Sequence, residues 1–302
     1  MHIFNSLDTL NYNLGPIALT IGNFDGVHLG HKQLVSELCK DSTLKSLIIS
    51  FEPHPIKFFR PEINFKKLFC YKDQIEQLEK MKVDYFVQLS FNKVFSQLKY
   101  DDFLEMIERK LDIKKIVIGY DFRFGKDKGG TYDQLKNWCE KKKIELIKIE
   151  EIKLNQLTVS TTEIKKQLDK SDMLMVTNLL GRHFYVEGVV VKGDQRGRLI
   201  GFPTANLQQS EETHLPHLGV YATRVKLRGQ FFNSVTNIGR TPTFKQDERV
   251  KVESHLLDFN QDIYGEIIQI EFRSYLRAEK KFNSLDELKT QIQIDINERR
   301  KM

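Results

Sequence analysis

Ile17-Ala18-Leu19-Thr20-Ile21-Gly22 runs directly into Asn23-Phe24-Asp25-Gly26-Val27-His28-Leu29-Gly30-His31. The apolar run reads as a strand, and a helix is expected to follow it near 31–39. Two histidines three residues apart then flank a glycine at a helix N-terminus, where free backbone N–H groups and the positive dipole end favour anions. Imidazoles add donors that can follow charge as it develops on a phosphate, and Gly30 lets the backbone approach closely. A lone histidine here would be a surface residue on a strand–helix turn. The pair after this strand exit favours phosphate chemistry.

Outward from this stretch, apolar runs alternate with amphipathic ones. Strands are expected over 17–22, 46–51, 84–89, 115–119 and 144–149, with helices near 31–39, 72–81, 101–111 and 132–142. That alternation describes βαβ units, an α/β fold of the Rossmann-like kind with a parallel sheet, whose ligands sit at the carboxyl ends of the strands. Past about residue 180 the pattern changes to strands over 183–192, 219–227, 231–237, 250–259 and 266–272, an antiparallel sheet or small β-barrel. A C-terminal helix closes it, opened by the capping box Ser284-Leu285-Asp286-Glu287, with Leu285, Leu288, Ile292 and Ile296 as its expected buried stripe. The expected domains are therefore 1–180 and 181–302, with the seam inside 169–182.

The composition is that of a globular protein: 302 residues, 40% hydrophobic and 29% charged, long enough for two cores. No apolar run reaches the roughly 18 residues of a membrane span, and Met1–Asp8 lacks the basic and apolar regions of a secretory signal. Three widely spaced cysteines, Cys39, Cys70 and Cys139, argue against a disulfide framework or zinc site and suit a reducing compartment, so a cytoplasmic protein is expected. The net charge of +6 is diffuse: Lys141-Lys142-Lys143 is followed by Glu145, Glu150 and Glu151. That argues against a nucleic-acid surface while suiting anionic nucleotide substrates.

A second motif lies in the C-terminal half, Gly193-Asp194-Gln195-Arg196-Gly197-Arg198-Leu199-Ile200-Gly201-Phe202-Pro203-Thr204-Ala205-Asn206. Its glycines would let a loop wrap phosphates. Thr204 and Asn206 carry neutral oxygens of the kind Mg²⁺ accepts alongside water and substrate phosphates. It lacks the Gly-Lys-Ser/Thr ending of a Walker loop.

Together these motifs resemble the prokaryotic bifunctional riboflavin kinase/FMN adenylyltransferase (FAD synthetase) family. The N-terminal resemblance rests on Gly22–His31, Phe51-Glu52-Pro53-His54-Pro55, Gly119-Tyr120-Asp121-Phe122-Arg123-Phe124-Gly125 and Val159-Ser160-Thr161-Thr162-Glu163-Ile164-Lys165. It implies that Gly22, Asn23, Phe24, Asp25, Gly30, Ser160, Thr161, Thr162 and Lys165 bind nucleotide, with His28 and His31 catalytic. It also implies that Phe51, Pro53, Asp121, Phe122 and Phe124 bind flavin. Simpler roles stand beside these: the prolines end a strand, Phe122 and Phe124 are core, and Ser160 and Glu163 form a capping box. Glu163 and Lys165 depart from the arginines usual in the family, which bears on phosphate grip in the first domain.

The second motif continues in kinase register through Gly219-Val220-Tyr221-Ala222, Asn237-Ile238-Gly239-Arg240-Thr241-Pro242-Thr243-Phe244, Val252-Glu253-Ser254-His255 and Leu276-Arg277-Ala278-Glu279-Lys280-Lys281-Phe282. The resemblance implies Glu253 as general base, Thr204 and Asn206 on Mg²⁺, Gly193, Gly197, Arg198 and Gly201 on the nucleotide, and Arg277 on the flavin. The expected chemistry is phosphorylation of riboflavin to FMN by ATP, then adenylylation of FMN to FAD. Its small-molecule partners would be riboflavin, FMN and ATP. Two rivals stand: a kinase whose first domain is degenerate, and a flavin-binding regulator that contacts RNA.

Overall fold

The computed structural model describes residues 1–10, 14–193, 195–240 and 250–302. Asp194 and Thr241-Pro242-Thr243-Phe244 of the quoted motifs lie outside them. The described residues divide into two compact units, Met1–Ser160 and Thr161–Met302.

The first unit runs β1 (His2–Phe4), β2 (Pro16–Ile21), α1 (Leu29–Leu38), β3 (Lys45–Glu52), α2 (Pro55–Phe59), α3 (Tyr71–Lys80) and β4 (Tyr85–Ser90). It continues with α4 (Lys93–Ser96), α5 (Tyr100–Glu108), β5 (Asp112–Gly119), α6 (Tyr132–Lys142), β6 (Glu145–Ile149) and the short strands β7 (Lys153–Leu154) and β8 (Leu157–Thr158). The first six strands form one parallel sheet in the order β1-β4-β3-β2-β5-β6. Alternating side chains give it two apolar faces. Leu19, Ile21, Leu47, Ile49, Ile116 and Ile118 pack with α5 and α6, while Ala18, Ile48, Phe86 and Val117 pack with α1 and α3. Both faces being covered, the expected doubly wound fold is present. Chain order proceeds outward from β2 through β3 to β4, then resumes on the other side of β2 at β5. The carboxyl ends of β2 and β5 therefore mark the switch point where such sheets hold ligands.

The second unit begins with α7 (Thr161–Asp169) and α8 (Met173–Leu180), then β9 (Tyr185–Val191), α9 (Arg196–Leu199), β10 (Ala205–Gln209), β11 (Gly219–Leu227), β12 (Gln230–Arg240), β13 (Val250–Leu256), β14 (Ile267–Arg277) and α10 (Leu285–Arg300). Six strands close into an antiparallel barrel, β10-β13-β12-β11-β14-β9. Its interior holds a fully buried ladder of hydroxyls. Thr223 Oγ1 lies 2.8 Å from Ser234 Oγ and 2.7 Å from Thr236 Oγ1, and Thr236 Oγ1 donates to Ser254 Oγ at 2.9 Å. Mutual satisfaction is what lets these polar groups sit in a core.

The expected stripe on α10 is only half right. Ile296 is buried, but Leu285 is 64% exposed, and the helix buries Asp295 and Arg299 instead. Arg277 grips Asp295 with Nε at 2.9 and 3.1 Å and Nη2 at 2.8 Å. Arg299 donates to the Thr223 carbonyl at 2.8 Å and to Asn233 Oδ1 at 2.7 Å. Charged groups supply part of this buried face because partners on the barrel satisfy them. Ser284 caps α10 as expected, accepting from Glu287 N, while the Glu287 carboxylate reaches back to Asn283 N at 3.0 Å rather than to Ser284 N.

Candidate active sites

The exit of β2 is a strained turn. Phe24 and Val27 hold positive φ of 53° and 39°, and Gly26 lies at 83°. A β-branched residue in that region costs about 1–3 kcal/mol. Burial holds it there, since Phe24 is 1% and Val27 0% exposed. Asp25 Oδ1 accepts from Leu68 N at 2.9 Å, and Gln74 Nε2 donates to the Asn23 carbonyl at 2.8 Å, tying the turn to the start of α3.

This turn delivers His28 as the N-cap of α1. Its Nδ1 accepts from His31 N at 3.4 Å, and the two imidazoles stack with centroids 3.8 Å apart and planes at 19°. The Phe24 ring backs His31 at 4.9 Å. Gly30 sits under the His28 ring: a Cβ there would lie 3.1 Å from it and 3.6 Å from the Val159 carbonyl. Burial, and secondarily His28, hold the His31 pKa well below the usual imidazole range, so His31 is neutral at pH 7. Thr20 Oγ1, Asn23 Oδ1 and His31 Nδ1 are buried with no hydrogen-bond partner among the described residues. Such atoms clustered at one strand exit indicate a place built for a ligand.

A narrow cleft opens beside the turn, lined by Asn23 and Asp25, by Ser50, Phe51 and Glu52 from the end of β3, and by Gln88 of β4. Phe51 continues into a chain of rings, 5.9 Å from Phe91 and 5.4 Å from Phe95. At the exit of β5, Phe122 stacks on Phe124 at 5.3 Å. Phe124 is 9% exposed and packs on Phe103, so it serves the core, whereas Phe122 is only partly covered. Asp121 is exposed beside Gly119. Since β2 and β5 are neighbours, the His28–His31 turn and the Asp121–Phe124 segment share the switch point. Pro53 follows β3 directly. Ser160 ends the first unit. Thr161, Thr162 and Lys165 stand in the first two turns of α7, where Glu163 accepts from Gln167 at 2.6 Å and pairs with Lys166 at 3.6 Å.

In the barrel, register does the assembling. Asn206 of β10 lies opposite Glu253 of β13, which lies opposite Asn237 of β12. Asn237 is opposite Val220, and Val220 is opposite Arg277 of β14. Directly opposed residues share a face with Cβ atoms about 4.5–5.5 Å apart, so Asn206, Glu253 and Asn237 form one row. Thr204 directly precedes β10, and a Cβ on Gly197 would lie 3.6 Å from its methyl group, so it sits against the glycine loop. Gly193 closes over this row, because a Cβ there would collide with the Asn206 amide. Gly197 accepts from Phe202 N at 2.8 Å, Gly201 takes φ 91°, and Arg198 is exposed, so the glycine loop folds tightly on itself. Sequence reading alone missed Asn237, whose significance depends on register.

Arg277, expected on the flavin, has its planar fork occupied by Asp295, with Nη1 donating to the Ala278 carbonyl at 3.0 Å. Its guanidinium carbon also lies 5.9 Å from the centre of the Phe282 ring. Among the described residues no three His, Cys, Asp or Glu side chains gather as metal ligands. A cation here would have to lean on Thr204, Asn206 and substrate phosphates, which is the donor set Mg²⁺ accepts.

Comparison with known proteins accords with the two-part architecture. A family model described as FAD synthetase matches residues 11–163, and one described as riboflavin kinase matches 180–302. The bifunctional riboflavin kinase/FMN adenylyltransferase of Haemophilus influenzae is 36% identical over 98% of this chain and 97% of that protein. That of Bacillus subtilis is 32% identical over 99% and 96%. The chain belongs to the bifunctional riboflavin kinase/FMN adenylyltransferase family. It is an enzyme of flavin cofactor synthesis, with an FAD synthetase domain followed by a riboflavin kinase domain. A crystal structure described as a macrolide-efflux protein from Streptococcus pneumoniae also superposes, with TM-score 0.91 and 28% identity over 100% of this chain and 99% of that one. That description belongs to that protein. No helix among the described residues of this chain is long and apolar enough to cross a membrane.

Proposed function

We propose that the two steps of FAD synthesis are divided along the chain, with the residues named above, the kinase chemistry lying within 181–302 and the adenylyltransferase chemistry within 1–180. The observation that carries the kinase assignment is the register row Asn206–Glu253–Asn237. Glu253 accepts the proton of the riboflavin 5′-hydroxyl as that oxygen bonds to the γ-phosphorus of ATP. The bond to the β–γ bridging oxygen breaks, and ADP leaves. A primary alcohol is a poor nucleophile until its proton has somewhere to go. Thr204 and Asn206 would hold Mg²⁺, which lowers the negative charge on the ATP phosphates when bound. Gly193, Gly197, Arg198 and Gly201 shape the loop around those phosphates.

In the first unit, an FMN phosphate oxygen attacks the α-phosphorus of ATP and pyrophosphate departs. His28, His31 and the first N–H groups of α1 stabilise the developing charge, with neutral His31 acting as a hydrogen-bond donor rather than a fixed cation. Gly22, Asn23, Phe24, Asp25 and Gly30 form the turn that presents them. Phe51, Pro53, Asp121 and Phe122 serve the flavin, while Phe124, assigned to the flavin on the resemblance, backs Phe122 from the core. Ser160, Thr161, Thr162 and Lys165 keep their nucleotide assignment. Neither step needs a covalent enzyme intermediate. Cys39, Cys70 and Cys139 are all free thiols, which supports a cytoplasmic setting.

The test is chromatographic separation of riboflavin, FMN and FAD after incubation with ATP across a Mg²⁺ titration. Glu253→Gln should cut FMN formation by about 10²–10⁴-fold while added FMN is still converted to FAD. An unchanged FMN yield refutes the base assignment, and FMN without any FAD from the wild type marks a kinase-only protein.

A further inference from the structure

Gly239 of β12 lies two residues beyond Asn237 and so faces the same side as the Glu253 row. The direction its missing side chain would take is already occupied. A Cβ on Gly239 would collide with Glu279 Oε1 and would lie 2.9 Å from Asn237 Nδ2 and 3.3 Å from Glu279 Cδ. The carboxylate of Glu279, an exposed residue of the segment between β14 and α10, therefore lies over Gly239, on the face that carries the catalytic row. The Asn237 amide borders the same space.

Neither group is used by the fold. Glu279 and Asn237 make no hydrogen bond or ion pair with another described residue, and the cations flanking Glu279 are engaged elsewhere. Arg277 holds Asp295, and Lys280 pairs with Glu287 at 3.2 Å. An acceptor and a donor thus stand side by side, one strand from Glu253. Their chemistry limits the ligand. With Glu253 they put two carboxylates on this face, with Lys251 opposite Gly239. A phosphate group would be repelled. A chain of hydroxyls would suit both, since each hydroxyl can donate to the carboxylate and accept from the amide.

We propose that Glu279 and Asn237 read the polyol chain of riboflavin and so set which flavins the kinase accepts. This rests on Glu253 marking the kinase site. The side chain of Gly239 is absent because the reading carboxylate needs its space.

The test compares two substrates, riboflavin and a flavin whose N10 substituent is a five-carbon chain bearing only the terminal hydroxyl. Glu279→Gln should raise the KM for riboflavin by about 10- to 100-fold, the loss expected for a hydrogen bond to a charged group, and by much more than it lowers kcat. The KM for the hydroxypentyl flavin should move less than about twofold, so discrimination between the two substrates collapses. Gly239→Ala, which displaces the carboxylate without removing it, should move KM the same way. Riboflavin binding followed by quenching of flavin fluorescence gives the same comparison without turnover. Equal effects of Glu279→Gln on both flavins, or none on either, overturn the proposal. Failure of the Glu253 reading would show separately, as Glu253→Gln retaining full FMN formation.

Discussion

Arg277→Met removes one half of a buried ion pair, and the structure fixes the scale of the damage. Asp295 is 2% exposed and loses three contacts, at 2.9, 3.1 and 2.8 Å, keeping among the described side chains only Gln291 Nε2 at 3.0 Å. Stranding a buried carboxylate in this way costs about 3–5 kcal/mol. The Arg277 side chain keeps 22% of its exposure, so the lower end, about 3 kcal/mol, is expected. A unit of about 140 residues unfolds with an entropy near 0.3 kcal/mol/K, so its melting temperature should fall by about 10 °C. The assay can be confined to the right unit. Trp138 in α6 is the sole tryptophan, so its fluorescence follows the first unit, while far-UV circular dichroism follows both. The transition silent in fluorescence should move and the Trp138 transition should not. Arg277→Met with Asp295→Leu should recover most of the loss, because replacing both partners by apolar groups is close to neutral. A shift below about 3 °C, or no recovery in the double variant, refutes this account. If the double variant regains stability but still binds riboflavin poorly, Arg277 also touches the flavin, as the family resemblance implies.

Acid should weaken the first unit through His31. Its folded pKa is depressed, so its contribution to stability is complete above about pH 6.5 and is lost as pH falls towards the folded value, by up to about 1.4 kcal/mol per pH unit. Urea midpoints from Trp138 fluorescence at pH 7 and pH 5 should differ less in His31→Gln, and an unchanged difference excludes His31 as the cause. His28→Ala should slow FAD formation by about 10²–10³-fold and leave FMN formation intact. Equal loss of both activities would mean that His28 supports folding instead. Thr236→Val should destabilise the barrel by about 1–3 kcal/mol, since it strands the Ser254 hydroxyl, which has no access to water, and leaves Thr223 with Ser234 alone. A neutral effect on the fluorescence-silent transition would show that the ladder rearranges.

The doubly wound unit was legible because apolar runs and amphipathic stretches alternate with plain periodicity, and the His28–His31 turn sits where such a sheet exposes its strand ends. The barrel strands were legible too, except β10. That strand follows a glycine-rich run and hides within what reads as a loop. On α10, Asp295 and Arg299 look like solvent-facing residues until Arg277, Thr223 and Asn233 are brought beside them from 18 or more residues away. Asn237 and Glu279 fall inside motif stretches, but nothing local singles them out from their neighbours. Their meeting depends on strand register and on the absence of a side chain at Gly239, which are properties of the folded chain.

The ring of six strands in the second unit also bears on how the protein behaves when concentrated. A closed barrel offers no row of unpaired backbone groups to a neighbouring molecule. The parallel sheet of the first unit does have rims, but β1 spans three residues and β6 five, with Glu145 and Lys148 exposed along the latter. Short, charged rims are poor templates for another chain. Self-association in crowded solution should therefore proceed through side-chain surfaces and remain reversible, rather than through intermolecular β-pairing.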